Sequence, residues 1–244
     1  MISLAVAATG AIAGVLIGLT GIGGVLVVPA LTEFGGEPVE RAIAASMAAF
    51  LVAGTAAAVA HRRRAGVEWR HALPLCVAAA AGAVAGASSL QLLTAETLRA
   101  VIAVLALVSG GQALLAPRAH AQGRVPGSIA LAAIGAAVGY GSAISGTGGP
   151  VLLIPVLLFA GASAHVSVAL AFFVQVPITL SATIVNAMAG RIDPGLAAPL
   201  AALVLAGTLA GSRASARLSR RALSIGVAVT LIGVGVWYGA KALR

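Results

Sequence analysis

The sequence predicts an all-α, polytopic membrane protein built from two pseudo-symmetric repeats. Of its 244 residues, 60% are hydrophobic and only 9% are charged, whereas about 25% of an ordinary soluble domain is charged. The few charges fall in short clusters between long apolar runs. This pattern excludes a soluble enzyme and a disordered chain. It also makes the formal net charge of +9 a property of loops rather than of a nucleic-acid interface.

The apolar runs predict about eight to ten membrane segments. About 20 residues span the hydrocarbon core, so six of the runs fit one crossing each. The first and fifth are too long for one crossing and contain glycine clusters, which predicts that the first segment of each repeat is broken or re-entrant. An outer-membrane barrel is excluded because the runs do not alternate. The eight runs are 3–32, 42–60, 72–93, 97–116, 127–160, 164–189, 194–212 and 222–240.

The two long runs carry the same glycine pattern at a constant spacing. Gly23 and Gly148 are 148 − 23 = 125 positions apart, and the same offset relates several other pairs. We therefore predict a first membrane repeat over 1–116, a cytoplasmic linker over 117–126 and a second membrane repeat over 127–244. The pairs with this offset are Gly10/Gly135, Gly14/Gly139, Gly21/Gly146, Gly24/Gly149, Gly36/Gly161, Pro74/Pro199, Gly82/Gly207 and Gly86/Gly211.

Loop charge predicts how the repeats cross the membrane. Arginine clusters at 62–70 and 213–221 should both be cytoplasmic. They share a side only when each repeat has an odd number of crossings, which predicts an inverted repeat in a multi-pass inner-membrane protein. Arg191, Lys241 and Arg244 then fall outside.

The glycine-rich breaks are the predicted binding site. Glycine lets the backbone approach a ligand closely, and helix N-termini beside such breaks offer free N–H groups and partial positive charge. Broken helices of this kind hold the substrate in many transporters. The alternative reading, helix packing, is preferred for Gly10, Gly14, Gly18 and the pairs Gly82/Gly86 and Gly207/Gly211. The predicted site residues are Thr20, Gly21, Gly23 and Gly24 with Ser145, Gly146, Thr147, Gly148 and Gly149.

No Asp, Glu, Lys or Arg lies well inside a predicted span, so any side chain that binds a substrate there must be neutral. Gln175 is a further candidate for lining the site, since an amide inside a span needs a partner. Ser46 and His165 are weaker candidates for gating or coupling. Helix packing is the preferred interpretation for Asn186 and Thr55, and filling of apolar space for Cys76. Trp69, Trp237 and Tyr238 are predicted to anchor helices at the membrane interface.

The paired breaks resemble those of the sulfite exporter TauE/SafE family, also called the four-TMS sulfite/organosulfur permeases. Each G-x-G-G break precedes an apolar run that reaches a proline, at Val25–Pro29 and Val151–Pro155. The segment Ala42–Ser46 and the turns at Gly66–Trp69 and Gly190–Asp193 fit the same pattern. The second half departs from it at Ser167–Ala171 and at Pro150. The resemblance implies an inner-membrane carrier of small sulfur-containing anions.

We therefore predict a secondary transporter that holds a small anion, such as sulfite or sulfoacetate, between the two breaks and works by alternating access. An anion channel and a non-transporting accessory subunit are the alternatives. A membrane enzyme is disfavoured because H-E-x-x-H and G-x-S-x-G are absent from the sequence. No cofactor, metal site or nucleic-acid partner is predicted. The expected partners are the substrate and the lipid bilayer, and oligomerisation is left open.

Overall fold

A computed structural model describes residues 3–21, 23–61, 69–115, 125–214 and 220–242. These residues form ten α-helices and two short 3₁₀ turns, at Gly24–Leu26 and Leu90–Leu92, and contain no β-strand. The predicted all-α fold is thus confirmed. The helices are α1 (Leu4–Thr20), α2 (Val27–Glu33), α3 (Val39–His61), α4 (Trp69–Ser89), α5 (Ala95–Leu115), α6 (Ser128–Ser145), α7 (Pro150–Phe159), α8 (Ala164–Met188), α9 (Pro194–Ala214) and α10 (Arg220–Ala242).

Five of these helices are long and apolar enough to cross a membrane, within the residues described: α3, α4, α6, α8 and α9. Leucines and valines that face outwards, such as Leu73, Val77 and Val84 on α4, are 44–62% exposed. Exposed apolar surface on this scale fits contact with lipid rather than water. A polytopic membrane protein is the fold that results.

The two long apolar runs fold as helical hairpins, as the sequence predicts for a re-entrant segment. The Ser3 hydroxyl, at the start of α1, donates to the carbonyl oxygen of Phe34, at the end of α2, over 3.2 Å. Between them the chain turns so sharply that a Cβ at Gly23 would lie 2.4 Å from the carbonyl oxygen of Ala13. The second hairpin has the same form, with Gly141 of α6 facing Leu152 of α7.

Small residues let helices from opposite halves pack backbone to backbone. Helix α1 runs parallel to α9, and α4 runs parallel to α6. A Cβ at Gly14 would lie 2.3 Å from the Val204 carbonyl oxygen, and one at Gly82 would lie 2.1 Å from that of Ala136. The prediction that Gly10, Gly14, Gly18, Gly82, Gly86, Gly207 and Gly211 serve helix packing is confirmed. In lipid, where no hydrophobic effect drives helices together, such close contacts supply the dispersion energy.

The helix directions place the starts of the two halves at opposite faces of the bundle. The amino-terminal face holds the start of α1 and the ends of α2 and α10, as the Ser3–Phe34 and Lys241–Glu33 contacts show. It also holds the ends of α8 and α4, because α9, which follows α8, starts beside the start of α1 and Arg191 binds the carbonyl oxygen of Ala87. The linker face holds the end of α5 and the start of α6. Helix α5 runs antiparallel to α10, because Gly110 meets Ile232 whereas Gly235 meets Leu107. The halves therefore run in opposite senses, as an inverted repeat requires. The duplication and the boundaries at 116, 117 and 126 stay predictions.

Close glycine packing predicts a stability difference between two otherwise similar substitutions. Gly139→Ala would bring a Cβ to 2.0 Å from the Ala79 carbonyl oxygen, whereas a Cβ at Gly233 meets nothing within 4 Å. Overpacking of this kind costs about 1–3 kcal/mol, so Gly139→Ala should lower the thermal unfolding midpoint of the detergent-purified protein. Gly233→Ala, also inside a helix, should leave the midpoint unchanged or raise it. Equal midpoints for the two variants would contradict the packing account.

Candidate functional site

The two glycine-rich breaks meet at mid-depth in the bundle. A Cβ at Gly24 would lie 2.5 Å from the carbonyl oxygen of Thr147 and 3.1 Å from Cε2 of Phe50. A Cβ at Gly21 would lie 3.8 Å from Cβ of Pro150, and one at Gly146 only 2.5 Å from Cγ2 of Val28. Each break therefore packs against the helix that follows the other, and only glycine permits this approach.

The first break begins where α1 ends in a left-handed cap. Gly21 has φ +76° and its N–H donates to the Ile17 carbonyl oxygen over 2.8 Å. Gly23 then precedes the 3₁₀ turn Gly24–Leu26, which leads into α2. Thr20 is the last residue of α1, but its side chain and all of Ile22 lie outside the described part of the structure. The first break is thus a place where the backbone itself faces the centre of the bundle.

The second break repeats this cap and adds two more left-handed glycines. Gly146 has φ +71° and donates to the Ser142 carbonyl oxygen over 2.9 Å, and Gly148 and Gly149 have φ +81° and +115°. Helix α7 starts directly afterwards with Pro150 at its first position. A side chain at Gly148 or Gly149 would strain the backbone whatever space surrounds it. The conformation of the second break therefore depends on its glycines.

Several backbone donors at the breaks have no acceptor among the described residues. Among the described residues, the N–H groups of Gly23, Gly24, Gly148 and Gly149 make no hydrogen bond. Buried N–H groups are almost always paired, because an unpaired one costs free energy. Such donors suit an anion, since helix N-termini also carry partial positive charge.

Two central helices line the breaks with different side chains at matching positions. Phe50 is the twelfth residue of α3 and Gln175 the twelfth of α8, and 175 − 50 = 125, the repeat offset. The Phe50 ring packs on Gly24 and Gly148, while the Gln175 amide lies against Gly54, where a Cβ would come within 2.8 Å of Cδ. The lining is thus aromatic from one half and amide from the other.

Gln175 is the polar side chain that the structure brings to the breaks. It is 2% exposed, and its Oε1 has no hydrogen-bond partner among the described residues. Its Nε2 would lie 3.6 Å from a Cβ at Gly148. A buried amide oxygen without a donor costs about 1–3 kcal/mol, whereas Nε2, which lies beside Gly148, is itself a donor and is the atom of this amide that can pair with an anion.

The hydroxyls near the second break are buried and mutually bonded. Ser145 Oγ lies 3.0 Å from Thr147 Oγ1 and donates to the Gly141 carbonyl oxygen over 2.7 Å. Both side chains are at most 3% exposed. Ser46 is also buried, one turn before Phe50, and donates to the Ala42 carbonyl oxygen over 2.7 Å. Ser145 and Ser46 are thus both satisfied by a carbonyl of their own helix, and Thr147 is the hydroxyl at the second break whose bond is to another side chain.

The structure does not bring His165 to the breaks. It is exposed in the first turn of α8, ten residues before Gln175, which is about 15 Å along a helix.

The three predicted interface anchors differ in their exposure. Trp69 and Trp237 are exposed near helix ends, as interface anchors should be, but Tyr238 is fully buried and hydrogen-bonded to Thr32. The anchoring role of Tyr238 was therefore wrong, because α10 turns this ring towards α2.

A cavity of about 440 Å³ lies beside α2 rather than at the breaks. It runs between α1, α2 and α10 and is almost wholly apolar. Its polar members are Thr9 and Glu33, and Glu33 forms an ion pair with Lys241. An apolar wall with a carboxylate at one end is a poor route for an anion.

Among the described residues, no three His, Cys, Asp or Glu side chains come together as metal ligands.

The apposition of the breaks predicts a specific loss of binding. Gly24→Ala would push the Thr147 carbonyl away and separate the donors, so affinity for a small sulfur oxyanion or sulfonate should fall at least about tenfold, the factor for one hydrogen bond to a charged group. Gly111→Ala, in α5, is the control because a Cβ there meets nothing within 4 Å. Ligand-dependent thermal stabilisation of the purified protein measures both. Equal anion affinities for Gly24→Ala and Gly111→Ala would show that the breaks do not form the binding site.

Comparison with known proteins supports the same class of molecule. A family model described as "Sulfite exporter TauE/SafE" matches residues 6–238, which covers all or nearly all of each of the ten helices. Comparisons with curated proteins and with solved structures gave no match. The match spans far more than half of the chain, and the sequence resemblance to this family is confirmed. The chain belongs to the sulfite exporter TauE/SafE family of membrane transport proteins.

Proposed function

We propose that the protein is a secondary transporter of a small sulfur-containing anion, such as sulfite or sulfoacetate, which it holds between the two glycine-rich breaks. The observation that carries this proposal is the meeting of two sets of backbone N–H groups, which have no acceptor among the described residues, beside the buried amide of Gln175, whose Nε2 is a further donor. Membership of a sulfite exporter family supports the substrate class. The site offers an anion donors and dipoles without a fixed positive side chain.

Alternating access is the mechanism that this arrangement favours. Phe50, Ser145, Thr147 and Gln175 are each at most 3% exposed, so the breaks are closed to both faces. A transporter needs such an occluded arrangement between its inward- and outward-open states. The two hairpins belong to different halves, and each break packs against the other half's helix. Movement of one half against the other would therefore open the site to one face at a time.

Charge supports an orientation in the inner membrane with the linker face in the cytoplasm. Ten of the fifteen Lys and Arg residues belong to the ends and connections of helices at the linker face, while five of the six acids belong to the amino-terminal face. The positive-inside rule assigns the arginine-rich face to the cytoplasm. The ten are Arg62, Arg63, Arg64, Arg70, Arg118, Arg124, Arg213, Arg217, Arg220 and Arg221.

The proposal predicts saturable anion flux that depends on the Gln175 amide. Proteoliposomes should take up labelled sulfite or sulfoacetate, and Gln175→Met should lower the rate about tenfold, since it removes a hydrogen bond to a charged group at similar volume. Thr55→Val is the matched control, because Thr55 is exposed and its hydroxyl already donates to the Leu51 carbonyl oxygen. Purified wild-type protein that carries neither anion would refute the transport proposal.

The same proteoliposomes distinguish the alternatives. A carrier should exchange internal for external anion faster than it shows net flux, and it should give no single-channel currents. Unitary currents would instead indicate an anion channel. Absence of flux together with stoichiometric co-purification of a larger partner would indicate an accessory subunit.

A further inference from the structure

A line of polar side chains leads from the breaks to the amino-terminal face along α8. Gln175, Thr179, Thr183 and Asn186 follow one another at intervals of four, four and three residues. At 100° per residue these four positions stay within one narrow stripe of the helix. Arg191 follows just beyond the end of α8. We call these five residues the α8 polar stripe.

Three members of the α8 polar stripe carry buried atoms without a partner. Gln175 Oε1, Thr183 Oγ1 and Asn186 Nδ2 are buried and make no hydrogen bond among the described residues. Gln175 is 2% exposed and Asn186 fully buried. Only Thr179 is satisfied within the helix, by donating to the Gln175 carbonyl oxygen over 2.7 Å. One such atom is an exception to the usual pairing of buried polar groups. Three on one face of one helix point to something that passes or binds there.

Arg191 supplies a positive charge at the outer end of the stripe. Its Nη1 donates to Asn186 Oδ1 over 3.0 Å and to the carbonyl oxygen of Ala87, near the end of α4, over 2.9 Å. The guanidinium has five N–H donors in all, and the side chain is only part-buried. It therefore ties α8 to α4 while keeping further donors for an arriving or departing anion.

The other half has no equivalent of this stripe. The positions of α3 that match Gln175, Thr179, Thr183 and Asn186 at the repeat offset are Phe50, Gly54, Ala58 and His61. The first three offer no side-chain hydrogen bond. A polar connection from the breaks thus runs towards the amino-terminal face and is not repeated along α3 towards the linker face.

We propose that the α8 polar stripe is the anion's route between the breaks and the amino-terminal face, with Arg191 at its mouth. The inference rests on the proposed function and extends it to residues outside the breaks. In the outward-open state, α4 and α8 part beside Arg191. The freed amide of Asn186 and the hydroxyl of Thr183 then replace part of the anion's hydration shell on the way to Gln175.

Cysteine accessibility tests this route without depending on flux. In a Cys76→Ala background, Thr183→Cys should react with a charged, membrane-impermeant thiosulfonate reagent added at the amino-terminal face. Excess sulfoacetate should slow the reaction at least about fivefold, since the anion occupies the same path. Thr55→Cys is the matched control, because Thr55 is an exposed hydroxyl residue of a membrane-spanning helix. It should not react, since a thiol in lipid stays protonated.

Flux measurements supply a second readout. Thr183→Val and Asn186→Leu should each lower anion flux about tenfold, the factor for one hydrogen bond to a charged group, and Asn186→Asp should lower it further by repelling the anion. Arg191→Lys should retain more flux than Arg191→Gln, because the charge at the mouth remains. A Thr183→Cys thiol that is inert, or that reacts only from the linker face, would overturn the route. If the wild type carries no anion, the proposed function fails instead.

Discussion

The close approach of two glycine-rich breaks at the centre of the bundle is the constraint on which the rest of the structure depends. Irregular backbone inside a membrane survives only where protein or a cavity surrounds it. Here each break is covered by the opposite half: Gly24 meets the Thr147 carbonyl, and Gly146 meets Val28. The N–H groups of Gly23, Gly24, Gly148 and Gly149 have no acceptor among the described residues, so they offer positive potential at the place where the breaks meet. The contact that holds the two halves together is therefore also the contact that forms the candidate site.

Glycine and alanine elsewhere in the bundle hold the breaks at this distance. Helices α1 and α9, and likewise α4 and α6, touch through carbonyl oxygens at positions where any side chain would clash. These pairs join one half to the other, so they fix where the two hairpins sit. The central helices α3 and α8 then place one side chain each beside the breaks. Because Phe50 and Gln175 differ, the two halves offer a ligand an apolar surface on one side and an amide on the other.

The sequence predicts those parts of the fold that glycine spacing encodes. The predicted broken segments lie within one residue of the observed hairpins: 3–32 and 127–160 in the sequence, 4–33 and 128–159 in the structure. They could be predicted because an apolar run that is longer than one crossing and contains a glycine cluster has few other conformations. The packing glycines could be separated from the break glycines by their four-residue spacing. Gln175 could be singled out because an amide is rare in a span. These features are local, so one sequence suffices to find them.

Other features depend on contacts between distant segments and leave no local signal. Tyr238 looks like an interface residue next to Trp237, yet α10 turns its ring onto Thr32, about two hundred residues earlier. The sequence suggests that Asn186 serves helix packing. In the structure, Arg191 donates a hydrogen bond to its Oδ1, while its Nδ2 has no partner among the described residues. Phe50 has no polar group to attract notice, and only the fold places it on both breaks. The sequence thus finds the breaks but not their surroundings.

The most direct test of the central claim is to locate a heavy-atom analogue of the anion. Selenite replaces the sulfur of sulfite with selenium, whose anomalous scattering marks its position in crystals of the protein. We expect one principal anomalous peak within hydrogen-bonding distance of the backbone N–H groups at Gly24 and Gly148 and of the Gln175 amide. A principal peak beside Glu33 and Trp237, or only at the arginine-rich linker face, would contradict an anion site between the breaks.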